Sequence, residues 1–286
     1  MKLTVPSLLL FLSFQSSSQV TEFTGIYWTN LTHVNPAMSG LEFKHHATAS
    51  YHEKIRSSFA TTSFIDCNTR IYNYHGIGVS YNNNEESLSQ SHLVNFNYNY
   101  QWSLKNGCQL STGIAVGIQH ASIHPIFEDL ANLYDSLHSP IAPNVNIGFA
   151  YRSRYWLIGL SFASLQRSIE KGENAFNIVP SRNVNLHVSY NLPITRRVSL
   201  RSRLLAQSDF RTLSMNIGAT LDYKNIVSFG IGYRTNNTFY TTVGGNLYQQ
   251  FNLGYSLEYA LSPLSAGSGI NHQIVLGLTV KNKRRR

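Results

Sequence analysis

Hydrophobic and polar residues alternate with a period of two along most of the chain from Leu41 onward. In 213–222 the odd positions are apolar and the even positions are small or polar, and 251–261 repeats this pattern. Successive side chains of a β-strand point to opposite faces, so the alternation predicts strands with one apolar and one polar face. We count about fourteen such segments, each near the ~9–11 residues with which a tilted strand crosses a bilayer. They lie at 41–51, 56–65, 70–81, 89–102, 108–120, 144–152, 155–164, 183–192, 196–207, 211–222, 226–234, 237–248, 250–261 and 270–281.

The connections between these segments differ in length according to the side on which they fall. An even number of antiparallel strands places both ends of the strand region on one side of the sheet, as in bacterial outer-membrane barrels. The turns on that side are short, whereas the long connections fall on the other side. The long connections are 121–143, 165–182 and 262–269. Short periplasmic turns and long external loops are typical of outer-membrane barrels, so the pattern predicts an antiparallel transmembrane β-barrel whose apolar face contacts outer-membrane lipid.

The composition disfavours other classes of protein. Only 13% of the residues are charged, against about 25% in ordinary soluble domains. A β-sandwich with this many strands would be unusually large, and a propeller would need a repeat of about 40–50 residues, which the sequence lacks. The formal net charge is +9, but much of the excess lies in 281–286 and no nucleic-acid-binding motif accompanies it, so we expect no nucleic-acid partner.

The N-terminal residues resemble a secretory signal peptide. Lys2 precedes a short apolar stretch, 5–12, and the serines at 16–18 offer a cleavage site, which places the expected mature start at Gln19. The segment 19–40 carries apolar residues that must be buried, either by plugging the barrel lumen or by packing beneath it. The expected organisation is 1–18 signal peptide, 19–40 periplasmic N-terminal segment, 41–281 outer-membrane barrel and 282–286 basic C-terminal tail.

Five ionisable residues share the parity of the polar face and are therefore expected in the lumen. Ionisable groups at membrane depth face water or partners rather than lipid. They would form either a selectivity lining for a solute path or a pairing network that fills the barrel. These residues are Arg201, Arg203, Asp222, Arg234 and Glu258.

No motif points to catalysis, to a metal or to a cofactor, and we expect none of the three. His120 and His124 have the spacing of helical metal ligands, but they lie where a predicted strand gives way to a loop. The sequence Gly76-Ile77-Gly78 is not followed by a helix that could receive a phosphate. Cys67 and Cys108 both lie near predicted periplasmic turns, so an exported protein could join them in a disulfide.

An ordered set of motifs gives the sequence a more specific interpretation. Asn35-Pro36-Ala37-Met38-Ser39-Gly40 has the form Asn-Pro-Ala-x-x-Gly, and further motifs lie at 76–82, 143–149, 155–161 and 253–258. In this order they resemble the PorP/SprF family of Bacteroidetes type IX secretion and gliding motility. The sequence departs from the family pattern at 51–54 and 271–273, and in its basic C-terminus.

The resemblance implies an outer-membrane component of type IX secretion that acts by docking. Such proteins are thought to help export, or hold at the surface, an adhesin-like cargo with a C-terminal sorting domain, together with other components of the secretion system. The alternative is an outer-membrane porin or solute channel, because the predicted lumen is polar. Pro36 restricts Asn35 to extended conformations, so the motif is expected to fix a turn where the chain enters the barrel.

Overall fold

The alternating segments form antiparallel strands whose residues point by turns into and out of one sheet. The structure, a computed structural model, describes residues 24–54, 60–86, 89–104, 106–123, 137–138, 141–164, 182–261 and 269–280. The strands are β1 (His45–Lys54), β2 (Ala60–Ile71), β3 (His75–Glu86), β4 (Ser89–Ser103), β5 (Gln109–Ile123), β6 (Leu137–His138), β7 (Ala142–Arg152), β8 (Trp156–Ala163), β9 (Asn183–Pro193), β10 (Val198–Ser208), β11 (Leu213–Tyr223), β12 (Val227–Arg234), β13 (Thr238–Leu247), β14 (Phe251–Ala260) and β15 (Ile270–Val280).

The sheet closes on itself. Each long strand pairs with its neighbours in the sequence, and β1 pairs with β15, so no long strand is left with an open edge. The two-residue β6 pairs only with the last two residues of β5, which also pairs with β7. Without β6, fourteen strands form the barrel. Closure gives each of these fourteen strands two hydrogen-bonded neighbours, which is the condition for crossing hydrocarbon with strands. The predicted barrel of about fourteen antiparallel strands is confirmed.

The bounds of the first three strands differ from the prediction by three to six residues. The alternation of Leu41 and Phe43 suggests that β1 begins at residue 41, but it begins at His45. Leu41 is instead fully buried inside the barrel. At their other ends β1 and β3 continue to Lys54 and Glu86, where charged residues obscure the alternation that marks a lipid-facing strand.

The two faces of the sheet have opposite chemistry. On β11, the outward Ile217 is 53% exposed and its neighbour Asn216 only 4%. On β14, the outward Leu253 is 52% exposed, whereas Glu258 on the other face is fully buried. In a membrane the exposed apolar residues meet lipid of matching polarity, whereas in water they would form a very large unpartnered patch. The exposed apolar residues therefore form the lipid-facing belt.

The two ends of the barrel carry different connections. At one end, the turn end, the six connections contain three to five residues each; they are 72–74, 104–108, 153–155, 194–197, 224–226 and 248–250. At the other end, the loop end, the longest connections are 124–141, 164–182 and 261–269. Outer-membrane barrels have short periplasmic turns and longer extracellular loops, which assigns the turn end to the periplasm.

Aromatic side chains gather on the outer surface near the turn end. The ring centroids of Trp156 and Tyr190 lie 4.4 Å apart, and those of Tyr100 and Trp102 lie 4.8 Å apart. Amphipathic rings favour the headgroup level of a bilayer, so these pairs mark the periplasmic border of the lipid belt. Among the described residues, no helix has both the length and the apolar character needed to span a bilayer.

The expected disulfide between Cys67 and Cys108 is absent, and both thiols are free. Cys67 lies within β2, facing outward, because β2 continues to Ile71 rather than ending at residue 65. Cys108 precedes β5, and β3 and β4 lie between β2 and β5 in the sheet. At ~4.8 Å between neighbouring strands the separation is roughly 14 Å, well above the ~7 Å between Cα atoms that a disulfide tolerates.

Replacing a lipid-facing residue by a charged one tests the assignment of the two faces. Ile231, in the middle of β12, is 59% exposed, and Ile194, in a turn-end connection, is 55% exposed. We expect Ile231→Arg to lower the free energy of unfolding by about 2–4 kcal/mol and Ile194→Arg by about 1 kcal/mol or less, because the cost of arginine falls towards the interface. Urea unfolding in lipid vesicles measures both values. Equal costs at the two positions would contradict the lipid belt.

Candidate functional site: the occupied lumen

The described part of the N-terminal segment lies inside the barrel. It consists of a 3-10 turn (Tyr27–Asn30), the one-turn helix α1 (Leu31–Val34) and a second 3-10 turn (Pro36–Met38). Its apolar side chains pack with Ala150, Leu157 and Leu205 of the inward face in one buried cluster. We call residues 24–41 the internal segment; the expected residues 19–23 lie outside the described part of the chain. The lumen is thus occupied by the protein's own chain.

Asn35 joins the internal segment to the wall. Its backbone is extended, with φ −150° and ψ 114°, as the following proline requires. The side-chain Oδ1 accepts a hydrogen bond from the Ala37 amide at 2.9 Å. The Nδ2 group donates to the carbonyls of Phe149 on β7 and Leu160 on β8, at 2.9 Å and 3.2 Å. One amide side chain therefore caps the second 3-10 turn and links it to two adjacent strands.

Glycines of the wall make room for this contact. A Cβ on Gly148 would overlap Asn35 Oδ1, and one on Gly159 would lie 2.8 Å from Asn35 Nδ2. A Cβ on Gly113 would lie 2.6 Å from the Ala37 nitrogen. These three positions face inward on neighbouring strands, β5, β7 and β8. Since any other residue would displace the segment, the glycines form a cradle for Asn35–Ala37.

Amide and hydroxyl side chains of the wall satisfy the backbone carbonyls of the motif. Asn99 donates to the carbonyls of Ala37 and Ser39 at 2.8 Å and 2.6 Å, and Gln101 donates to that of Ser39 at 3.1 Å. Ser111 also donates to the Ala37 carbonyl, at 2.8 Å. A segment this short has few backbone hydrogen bonds of its own, and an unpaired buried carbonyl is costly. The polar face of β4 and β5 supplies the missing donors.

Gly40 and two arginines fix the point where the segment leaves the lumen. Gly40 has φ +65°, and a Cβ there would lie 3.0 Å from the Arg70 nitrogen, so glycine is required for both reasons. Arg70 donates to the carbonyls of Gly40 and Leu41 at 2.7 Å and 2.6 Å, and Arg152 also donates to the Leu41 carbonyl. These contacts direct the chain into β1.

A buried charge cluster holds the other end of the segment. Glu258 accepts a hydrogen bond from the Gly25 amide at 2.5 Å. The same carboxylate lies 3.4 Å from Arg234 Nη2 and 3.7 Å from His52 Nε2. The fully buried carboxylate is therefore compensated by a cation and also binds the backbone of the internal segment.

The remaining predicted lumen residues also face inward and have partners. Arg201 forms an ion pair with Asp222, with Nη2 and Oδ2 3.4 Å apart. Arg203 donates to the Thr220 hydroxyl at 2.6 Å, and its guanidinium lies 4.1 Å from the centroid of the Trp28 ring. The five charged residues thus contact one another, the wall or the internal segment. Of the two roles expected for them, this geometry favours a network that fills the barrel over a lining for a solute path.

Every motif segment that was singled out in the sequence reaches the internal segment. Gly148 of 143–149 and Gly159 of 155–161 face Asn35, Gly76 of 76–82 faces the Ser39 carbonyl, and Glu258 of 253–258 binds Gly25. The sequence did not reveal the role of Gly148 and Gly159 as a cradle, and it did not single out Gly113, Asn99 or Gln101. The alternation does predict a polar inward face on these strands. It does not show that the internal segment packs against that face.

The cradle can be tested by a double-mutant cycle. We expect Gly148→Ala to lower the free energy of unfolding by about 1–3 kcal/mol through overpacking against Asn35. Asn35→Ala should cost about 1–3 kcal/mol through the lost hydrogen bonds. The double variant should cost less than the sum, because truncating the asparagine side chain also removes the overlap. Gly245→Ala is the matched control, since its nearest neighbour is 3.9 Å away. Additive costs, or an equal cost at Gly245, would contradict the cradle.

Comparison with solved structures identifies the class of barrel. The chain resembles Omp33 of Acinetobacter baumannii, with TM-score 0.52 and 9% identity over 84% of this chain and 99% of that chain. It resembles the TodX monoaromatic hydrocarbon channel (TM-score 0.51, 9% identity, 87% and 94% covered) and a Pseudomonas aeruginosa FadL homologue (0.50, 9%, 88% and 93%). At such identities the likeness shows the fold, that of an outer-membrane β-barrel. A comparison with curated proteins finds no match.

A match between this chain and the sequence model of a protein family shows the family to which the chain belongs. The model of the type IX secretion system membrane protein PorP/SprF matches residues 15–278. The matched span contains the internal segment, the cradle glycines and all but the last two residues of the barrel strands. The fold agrees with an outer-membrane location. The chain belongs to the PorP/SprF family of type IX secretion system membrane proteins.

Proposed function

We propose that this protein is a docking barrel of the type IX secretion system in the outer membrane. It holds a secreted, adhesin-like cargo protein through the cargo's C-terminal sorting domain at the external face. The periplasmic turns face other components of the secretion system. The mechanism is binding, and no covalent bond is made or broken.

The occupied lumen is the observation that carries this proposal. A solute channel needs a continuous water-filled path, whereas here the internal segment is bound at Glu258 on one side of the lumen and at Asn99 and Gly148 on the other. Four of the five charges that would line such a path are engaged in ion pairs, Arg201 with Asp222 and Arg234 with Glu258. A barrel filled in this way is a rigid support, and binding then falls to its ends.

The unequal connections suggest which end binds the cargo. The three longest, 124–141, 164–182 and 261–269, all belong to the loop end. Loops on a rigid scaffold are the usual place for binding surfaces, because they tolerate variation without loss of the fold. We assign cargo docking to these loops and contacts with the secretion machinery to the turn end.

Conductance in planar bilayers separates docking from the alternative, a solute channel. We expect the pure protein to give no steady open-pore current, because the internal segment occupies the lumen. Asn35→Ala combined with Glu258→Gln loosens the segment at both attachment points and is expected to produce open pores. Gly245→Ala, which touches neither attachment, should behave like the unmodified protein. Steady pores in the unmodified protein would favour the channel.

Loop replacement in cells tests docking itself. Replacing 165–178 with a short Gly-Ser linker should reduce the amount of secreted cargo that co-purifies with the barrel, while the amount of barrel in the outer membrane stays the same. The control replaces the short loop-end connection 235–237, which is not one of the three long loops, with a Gly-Ser linker of equal length. If cargo with a C-terminal sorting domain is retained after all three long loops have been replaced, the assignment to the loop end is wrong.

A further inference from the structure

A cavity of about 280 Å³ lies between the internal segment and the wall formed by β10–β15 and β1. It begins at Arg203 and Thr220, near the middle of the wall. It extends to Asn225 and Asn246 beside the turn-end connections. The cavity therefore lies on the periplasmic side of the internal segment, away from the loops assigned to cargo docking.

Arg203 is the feature of the cavity that points to a ligand. Its side chain is 6% exposed, and the guanidinium has one hydrogen bond, to Thr220, and one ring contact, with Trp28. The described part of the chain places no carboxylate within ion-pair distance of it. A guanidinium carries five N–H donors, and a buried cation without an anionic partner is costly. Arg203 thus lines the cavity with unused donor capacity and without a carboxylate in direct contact with its guanidinium.

The other ionisable groups of the cavity do not supply this anion. Asp222 is paired with Arg201 at 3.4 Å. Glu42 and His46 also line the cavity, but both belong to its turn-end part, near the start of β1. Glu42 and His46 therefore face the end of the cavity that opens towards the turn-end connections, which we call its mouth. Arg203 faces the opposite, inner end. The inner end is the part of the cavity that favours an anion.

The wall around the cavity is built differently from the cradle. In the cradle, added Cβ atoms on Gly113, Gly148 and Gly159 would collide with the internal segment. Along the cavity, a Cβ on Gly254 would approach the segment only at 3.4 Å, from the end of Ile26, and the atoms nearest to one on Gly277 belong to the wall. The small residues here border space rather than the packed backbone of the segment.

We propose that this cavity binds a carboxylate carried on a short apolar body, which enters from the periplasm. Arginine binds carboxylates through two parallel hydrogen bonds, and Thr220 lies beside it. The Trp28 ring and the side chains of Ile26, Met38 and Val275 supply an apolar lining. The volume of about 280 Å³ lies just below the roughly 300–1,000 Å³ of small-molecule sites, so the bound group is small. A free organic acid or the C-terminal residue of a peptide has this chemistry.

Fluorescence of Trp28 reports binding directly. In a background with Trp102→Phe and Trp156→Phe, both on the lipid face, Trp28 is the only tryptophan left of the three. We expect N-acetyl-leucine to change this fluorescence saturably in the detergent-solubilised full chain, and N-acetyl-leucinamide, which lacks the charge, to have no effect at the same concentrations. No saturable change, or an equal change with the amide, overturns the proposal.

Variants at Arg203 test whether the charge is the cause. Arg203→Gln is expected to weaken binding of N-acetyl-leucine at least about tenfold, since it removes the paired charge-assisted hydrogen bonds. The affinity of Arg203→Lys for N-acetyl-leucine should lie between those of the unmodified protein and Arg203→Gln. Arg211→Gln removes an equal charge in a loop-end connection and should leave the affinity unchanged. Calorimetry measures the same affinities without relying on Trp28, which Arg203 contacts. Unchanged affinity in both Arg203 variants overturns the proposal.

Two further arms control for folding and identify the source of the carboxylate. Folded barrels migrate differently in gels before and after heat denaturation, and each variant must keep this difference in mobility. If Arg203→Gln loses it, the affinity of Arg203→Lys alone decides whether the charge of Arg203 binds the ligand. A tetrapeptide ending in leucine is compared with N-acetyl-leucine and with its own C-terminal amide. Tighter binding of the free-acid peptide indicates a protein C-terminus as the natural group, and tighter binding of N-acetyl-leucine indicates a small acid. Binding of the amidated peptide as tight as that of the free acid overturns the proposal.

Discussion

The structure depends on one constraint, which is that no backbone polar group can remain unpaired where water is scarce. The strands meet it by closing the sheet between β1 and β15. The internal segment meets it in another way, because its helical turns are too short to pair their own groups. Its carbonyls and amides are bonded by inward side chains of the wall, among them Asn99, Gln101 and Glu258.

The internal segment is therefore part of the fold rather than an addition to it. The wall has glycine where the backbone of the segment passes and an amide or hydroxyl where the segment needs a partner, as at Gly113 and Ser111 on β5. The outward positions of the same strands carry apolar residues for lipid. The outward residues of each strand thus contact hydrocarbon, and the inward residues face the interior that holds the internal segment. These two environments account for the alternation along the sequence.

The sequence predicts what depends on local pattern. All fourteen barrel strands follow from the alternation, because the two faces of a strand are adjacent in sequence. What depends on distant pairing is not predicted: the cradle exists only because Gly148 on β7 and Gly159 on β8 meet Asn35. The disulfide prediction was wrong for a local reason, because Cys67 lies within β2 and not in a turn. Its prediction needed the end of β2, and the alternation becomes unclear near that end.

The central claim is that residues 24–41 fold as part of the barrel interior. Hydrogen exchange of their backbone amides, measured in the membrane-inserted protein, tests it most directly. The amides of Gly25, Ile26 and Ala37 are bonded to side chains in the structure, so we expect them to exchange as slowly as amides in the middle of the strands. Exchange of these amides at the rate of an unstructured chain, with the strands still protected, would contradict the central claim.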